Sequence, residues 1–270
     1  MNAPPPTDVP ACIEAGAGPD TVLFLHGIGG DSGSFADNLP ALPEGWRGLA
    51  WDAPGYGDSA PLDEMTFETL ATAAIRLLDA QRVRRAVIVG HSMGGMIAQE
   101  IAARHPERVR GLVLFATSAS FGGRDALFRM KFLADRLAPL DRGMTPGDIA
   151  RPLVPSLFGP EPPPGALERA IASMAALSSA TYRQALNCIV LFDRKSDLAR
   201  IACPTLALAA EHDMLAPPRT MERMAGAIPG ARYHCLAGAG HLANMEDPAA
   251  FNAEIGRFLR ELPEQEPNPV

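Results

Sequence analysis

The sequence predicts an α/β fold: a mostly parallel central sheet flanked by helices, with a helical cap inserted after the strand at 112–115. Three observations predict it. Short apolar runs at 22–25, 86–89, 112–115 and 205–209 are bounded by turn residues. Unbroken rather than alternating hydrophobicity marks strands buried on both faces of a parallel sheet. Amphipathic helical stripes lie between the runs, which is the order of βαβ units. That alternation then stops after Phe115 and resumes at Pro204.

In chain order, residues 1–10 form a proline-rich leader (Pro4, Pro5, Pro6, Pro10), followed by the run at 22–25 and a weaker strand candidate at 48–52. Phe67, Leu70, Ala71, Ala74, Leu77 and Leu78 recur at spacings of three and four and give one helix a single apolar stripe. Met93, Ile97 and Ile101 give another, stopped by His105-Pro106. Residues 119–200 carry two helical stripes, Leu127/Met130/Leu133/Ala134/Leu137 and Tyr182/Leu186/Ile189/Val190. Prolines 152, 155, 160, 162, 163 and 164 separate them. A second weak strand candidate at 232–236 precedes a C-terminal helix marked by Phe251, Ile255, Phe258 and Leu259. The expected organisation is a core of 1–118 and 201–270, with 119–200 as a cap or lid over the carboxyl edge of the sheet.

Composition narrows the function classes. The 270 residues carry a formal net charge of −7, with 47% hydrophobic and 20% charged residues. An acidic chain without a basic block lacks the cationic footprint of a nucleic-acid partner or of an anionic membrane surface. No apolar stretch approaches the roughly 20 residues that span a bilayer, and no secretory signal is evident. The expectation is a cytoplasmic protein, and a homodimer is left open. Cys12, Cys188, Cys203 and Cys235 have no metal-type spacing and read as reduced thiols.

The chemistry concentrates at the strand ends. Gly90-His91-Ser92-Met93-Gly94 directly follows the run at 86–89 and directly precedes a helical stripe. That strand–turn–helix setting is what a nucleophile elbow requires. A nucleophile on a sharp turn needs small neighbours, and a hydroxyl at a helix N-terminus faces free N–H groups that favour developing negative charge. His26-Gly27-Ile28-Gly29-Gly30 follows the first core run, so the N–H of Ile28 can join that of Met93 as an oxyanion hole. Neither G-x-G-x-x-G nor Gly-Lys-Ser/Thr is present to make that loop a nucleotide cradle. A serine also needs a base and an orienting acid. Of six histidines, His241 lies in a glycine-rich loop between the last strand and the last helix, at the edge where Ser92 stands. His26 and His91 lie in the two loops beside the site, and His105 sits at a helix end before proline. His212 neighbours the acid candidate, and His234 lies inside a strand-like run. Asp213 follows the run at 205–209 at the same edge, with Glu211 as the alternative acid.

These segments resemble the α/β-hydrolase superfamily over 21–118 and 203–262. The resemblance is carried by His26-Gly27, Asp52-Ala53-Pro54-Gly55-Tyr56-Gly57-Asp58-Ser59, Gly90-His91-Ser92-Met93-Gly94-Gly95, Glu211-His212-Asp213 and Gly240-His241. It implies the α/β-hydrolase fold, a Ser92–Asp213–His241 triad in that family's chain order, an Ile28/Met93 oxyanion hole, and neither cofactor nor metal. Serine rather than aspartate at the elbow argues against epoxide opening and dehalogenation. Met93-Gly94-Gly95-Met96-Ile97-Ala98-Gln99, Gly240-His241-Leu242-Ala243-Asn244 and Phe192-Asp193-Arg194-Lys195-Ser196-Asp197-Leu198 resemble the 3-oxoadipate enol-lactonase-like and carboxylesterase-like branch. Related carbon–carbon bond hydrolases carry Trp where Leu242 stands.

The expected activity is hydrolysis of a small-molecule ester or lactone through an acyl-enzyme. Carbon–carbon bond hydrolysis and a non-hydrolytic oxygenase, lyase or perhydrolase are the alternatives. Expected pocket residues are His26, Gly27, His91, Phe121, Phe128, Arg124, Arg129 and Leu242, with Met130 and Phe132 as further apolar candidates. Arg124, Arg129, Arg136 and Arg183 are candidates to hold a substrate carboxylate by bidentate pairing.

Overall fold

Seven strands form a single sheet in the computed structural model, which describes residues 9–121 and 125–263. They are β1 (Cys12–Ala15), β2 (Asp20–Leu25), β3 (Trp46–Trp51), β4 (Ala86–His91), β5 (Val109–Phe115), β6 (Thr205–Ala210) and β7 (Arg232–Leu236). Their spatial order is β1-β3-β2-β4-β5-β6-β7, with β1 antiparallel to β3 and every other pairing parallel. The four strong apolar runs fall in β2, β4, β5 and β6, and the two weaker candidates are β3 and β7. The sequence reading omitted β1. It is a four-residue edge strand with no buried residue, so no core face left a hydrophobic signature on it.

Side chains of alternating parity pack on opposite faces of the sheet. Leu23, Leu25, Leu49, Ile88, Leu112 and Leu114 join one core with α1 (Phe67–Ala80) and α2 (Met93–Arg104). Val22, Phe24, Val87, Val89, Val113 and Phe115 join a second core. Thr66 caps the start of α1, its hydroxyl accepting from the N–H of Thr69.

Between β5 and β6 the chain forms α3 (Ala126–Asp141), α4 (Pro146–Leu153), α5 (Ala166–Ala176) and α6 (Ser179–Ile189). No strand longer than an isolated bridge, Ser120 with Asp193, occurs there among the described residues. The α6 stripe is buried as its spacing predicts. The α3 stripe is buried at only one end: Leu133 and Leu137 pack on the core, whereas Leu127 is 77% and Met130 67% exposed. The short α4 ends where the proline-rich stretch begins, and its Thr145 N-cap and Pro146 start are ordinary helix-entry residues.

The two ends of this insertion are fastened side by side. Phe121 N–H donates to Phe192 O at 3.0 Å, and Arg194 N–H donates to Ala119 O at 2.8 Å. The Arg194 guanidinium then grips both oxygens of buried Glu100 on α2, each at 2.7 Å, and Arg104 binds the same carboxylate. Burial alone would raise the Glu100 carboxyl, but these two guanidiniums more than offset it and hold it below its ordinary value. Removing one partner of a buried pair leaves an uncompensated charge. With Arg104 still in place, Arg194→Ala should cost about 2 kcal/mol in urea unfolding, less than the roughly 3–5 kcal/mol of a fully isolated pair. An unchanged midpoint would mean the ion pair contributes nothing.

After β6 come α7 (Pro218–Gly226), α8 (Ala243–Glu246) and α9 (Pro248–Arg260). Phe251, Ile255, Phe258 and Leu259 of α9 face the second core, as the C-terminal periodicity predicts. The chain leaves β2 toward β3 and then crosses back to β4, so strand order reverses between β2 and β4. Crevices at the carboxyl ends of strands around such a reversal are where open α/β sheets bind ligands.

Candidate active site

Ser92 sits between β4 and α2 with φ 53° and ψ −115°, a backbone conformation that side-chain-bearing residues rarely adopt. Such strain costs about 1–3 kcal/mol and persists only where surroundings over-determine it. Here the Ser92 N–H donates to Phe115 O at 2.9 Å. Its carbonyl accepts from Thr117 Oγ1 at 2.7 Å and from the N–H groups of Gly95 and Met96 at 3.0 and 3.2 Å. Close passage of α2 over β2 adds a steric condition, since a β-carbon at Gly94 would collide with the Leu25 carbonyl.

The loop after β2 lies against this elbow. A β-carbon on Gly27 would stand 2.9 Å from the Ser92 β-carbon. Ile28 and Met93 both face the cavity over Ser92. Met93 is the first residue of α2, where an N–H has no intrahelical acceptor. His26 braces this loop from beneath: it is fully buried, accepts from Ala53 N–H through Nε2 at 3.0 Å, and donates from Nδ1 to Gly27 O at 2.8 Å. It does not line the cavity, which corrects its assignment to the pocket.

Asp213, after β6, and His241, after β7, meet at this edge. His241 Nδ1 donates to Asp213 Oδ2 at 2.8 Å. The other carboxylate oxygen accepts from the N–H groups of Leu215 and Ala216 at 2.8 and 2.9 Å. Asp213 is only 1% exposed, and burial alone would raise its carboxyl. His241 and the two amides outweigh that and hold it below the usual carboxylate range. Because Nδ1 of His241 carries the proton shared with Asp213, Nε2 of the neutral ring is left as an acceptor. Glu211, the alternative acid, instead accepts from Gly238 N–H at 2.8 Å.

His91 stacks between Phe115 and His241, with ring centroids 4.8 Å from each. Its Nε2 lies 2.8 Å from the carbonyl oxygen of His241, which can only accept, so the proton is on that nitrogen. Burial, reinforced by the His241 ring, lowers its pKa to about 3. It is therefore a neutral brace at physiological pH.

Ser92, His241, Gly27, His91 and Leu242 border a cavity of about 570 Å³ that extends under the insertion. Phe121, Phe132, Met174, Tyr182, Leu186 and Ile189 form its roof. Two arginines reach it. Arg169 is paired with Asp37 at 2.6 Å, whereas Arg136 stacks over the Phe132 ring at 5.5 Å and has no acidic partner among the described residues. Phe128 does not line the cavity; it is half exposed and touches Phe121 from outside, at 5.9 Å between centroids. Arg129, one residue further along α3 and partly buried, also does not line it. Met130 faces solvent, and Arg183 is tied to Asp141 at 2.7 Å. Arg124 lies outside the described residues. Met174, Arg169 and Ser173 escaped the sequence reading. The Ala166/Ala170/Met174 spacing of buried residues on α5 is the signal that would have placed them.

Among the described residues no group of three or more His, Cys, Asp and Glu side chains is arranged to hold a metal ion, and no helix is long and apolar enough to cross a membrane.

Comparison with known proteins agrees with this architecture. Residues 20–248 match the family model of the alpha/beta hydrolase fold. RutD of Pseudomonas savastanoi pv. phaseolicola, which is named a carbamate hydrolase, is 30% identical over 249 residues, covering 88% of this chain and 93% of that protein. The polyketide synthase ThaQ of Burkholderia thailandensis is 30% identical over 256 residues, and the chain spans only 12% of its length. The crystal structure of the enol-lactonase from Burkholderia xenovorans LB400 superposes with a TM-score of 0.82 at 26% identity, covering 93% of this chain and 96% of that one. A strained serine after the central strand, an Asp–His pair at the same sheet edge and a family match over most of the chain agree: this protein belongs to the α/β-hydrolase fold family.

Proposed function

We propose that the protein is a serine hydrolase that cleaves a carboxylic ester or lactone of a small molecule through an acyl-enzyme on Ser92. His241, oriented by Asp213, takes the Ser92 proton as the hydroxyl oxygen attacks the substrate carbonyl. The N–H groups of Ile28 and Met93 hold the oxyanion, and one such donor is worth about 3 kcal/mol. His241 then protonates the leaving oxygen. The same ring activates the water that releases the acid. The observation that carries this reading is the buried Asp213–His241 hydrogen bond at 2.8 Å beside a serine held at φ 53°. The test is covalent trapping. A fluorophosphonate should add once, at Ser92, and stop p-nitrophenyl ester turnover in proportion. Labelling elsewhere, or turnover that survives labelling, would refute it.

The cavity also supports a statement about substrate. Most of its wall is apolar, and the aromatic and aliphatic roof favours an apolar acyl or alkoxy group. Arg136 is its one cation without an acidic partner among the described residues. A charge-assisted contact from it to a distal carboxylate would contribute about 1.5–3 kcal/mol. Arg136→Met should therefore raise KM about tenfold or more for half-esters ending in a carboxylate, and leave matched neutral esters unchanged. Equal losses on both would rule out that role.

A further inference from the structure

The insertion and the His241 loop are joined by one carboxylate. Glu246, at the end of α8, accepts from Gly159 N–H at 2.6 Å, from Gly240 N–H at 3.0 Å and from Leu242 N–H at 3.2 Å. Gly159 belongs to the insertion, and Gly240 and Leu242 flank His241. The His241 N–H donates in turn to Leu157 O at 2.7 Å. The two backbones touch without space for a side chain. A β-carbon on Gly240 would strike Leu157 and Gly159, and one on Gly159 would strike the Gly238 carbonyl. With His91 bonded to the His241 carbonyl, the N–H groups at 240, 241 and 242 and the carbonyl at 241 all have fixed partners.

We infer that Glu246 is a positioning residue: by binding the N–H groups on both sides of His241 and one from the insertion, it sets the direction in which His241 Nε2 points. Of the proposed reacting groups it acts on the base, since it contacts neither Ser92 nor the oxyanion loop. A carboxylate is required because all three partners are donors. A glutamine of the same shape must turn its NH2 toward at least one N–H, and two donors facing each other leave a buried group unpaired. The inference rests on the reading of His241 as the base.

The test compares E246Q, H241A and wild type on a p-nitrophenyl ester, with the Nδ1 proton of His241 followed by NMR. For E246Q, kcat should fall about tenfold, the factor of a 1.4 kcal/mol loss in positioning, with KM within twofold. The downfield Nδ1 resonance should broaden through exchange with water. Circular dichroism should match wild type; if E246Q does not fold, E246D, which keeps the charge but is one methylene too short to reach all three N–H groups, is measured instead. A kcat equal to wild type, or an unchanged Nδ1 resonance, overturns the inference. If H241A itself retains turnover, the reading of the site fails rather than the role of Glu246.

Discussion

Replacing Ser92 with alanine should lower kcat by about 10⁵- to 10⁶-fold and leave the protein folded. The elbow is built without the hydroxyl. Its restraints are the backbone bonds to Phe115, Gly95 and Met96 and the bond from Thr117 Oγ1, and all of them survive truncation to alanine. Alanine keeps the strained φ of 53°, so the unfolding temperature should be unchanged. Glycine at the same position should raise it, because a positive φ carries no steric penalty there. Both variants should be equally dead. Single-turnover kinetics with a p-nitrophenyl ester, alongside calorimetry, separates the two effects. More than about 1% residual turnover would exceed anything triad loss permits and would place the nucleophile elsewhere.

Asp213→Asn should lower kcat about 10⁴-fold, and the reason is local geometry. The amides of Leu215 and Ala216 occupy one oxygen of Asp213. An asparagine will keep its carbonyl oxygen on those donors and so present its NH2 to His241. Nδ1 must then accept, the ring proton moves to Nε2, and the nitrogen needed to take the Ser92 proton is blocked. The fold should persist because both amides remain bonded. The pH dependence has a definite sign. The folded Asp213 carboxyl lies below its ordinary range, so its contribution to stability is full above about pH 4 and is lost as pH falls through the folded value. The wild-type advantage over Asp213→Asn in unfolding free energy should shrink over that interval. A mutant with wild-type kcat would show that His241 needs no orienting acid.

The sheet and the Ser92 elbow were legible because each leaves a local trace. Continuous apolar runs mark β2, β4, β5 and β6, and a glycine-rich turn between a run and a stripe marks Ser92. Asp213 and His241 were legible by their distance from strand ends. The roof of the cavity was not. Arg129 and Arg136 sit two turns apart on the same face of α3, and only the C-terminal part of that helix lies over the cavity, so periodicity alone does not separate them. The same holds for Phe128 and Phe132, one turn apart on that face: both contact Phe121, but only Phe132 reaches the cavity and Phe128 is half exposed. Glu246 was invisible for a different reason. Its partners are backbone N–H groups, which every residue but proline supplies, so no side-chain pattern advertises the contact.

The stitching of 157–159 to the His241 loop also divides the insertion into parts with different freedom to evolve. The segment through Leu157 and Gly159 is part of the machinery that aims the base, so replacing it trades away chemistry along with shape. At the exposed end of α3, by contrast, Leu127 and Met130 face water. Substitutions on α3 that keep Leu133, Leu137 and Leu140 on the core can therefore reshape the cavity through Phe132 and Arg136 without touching the 157–159 contact.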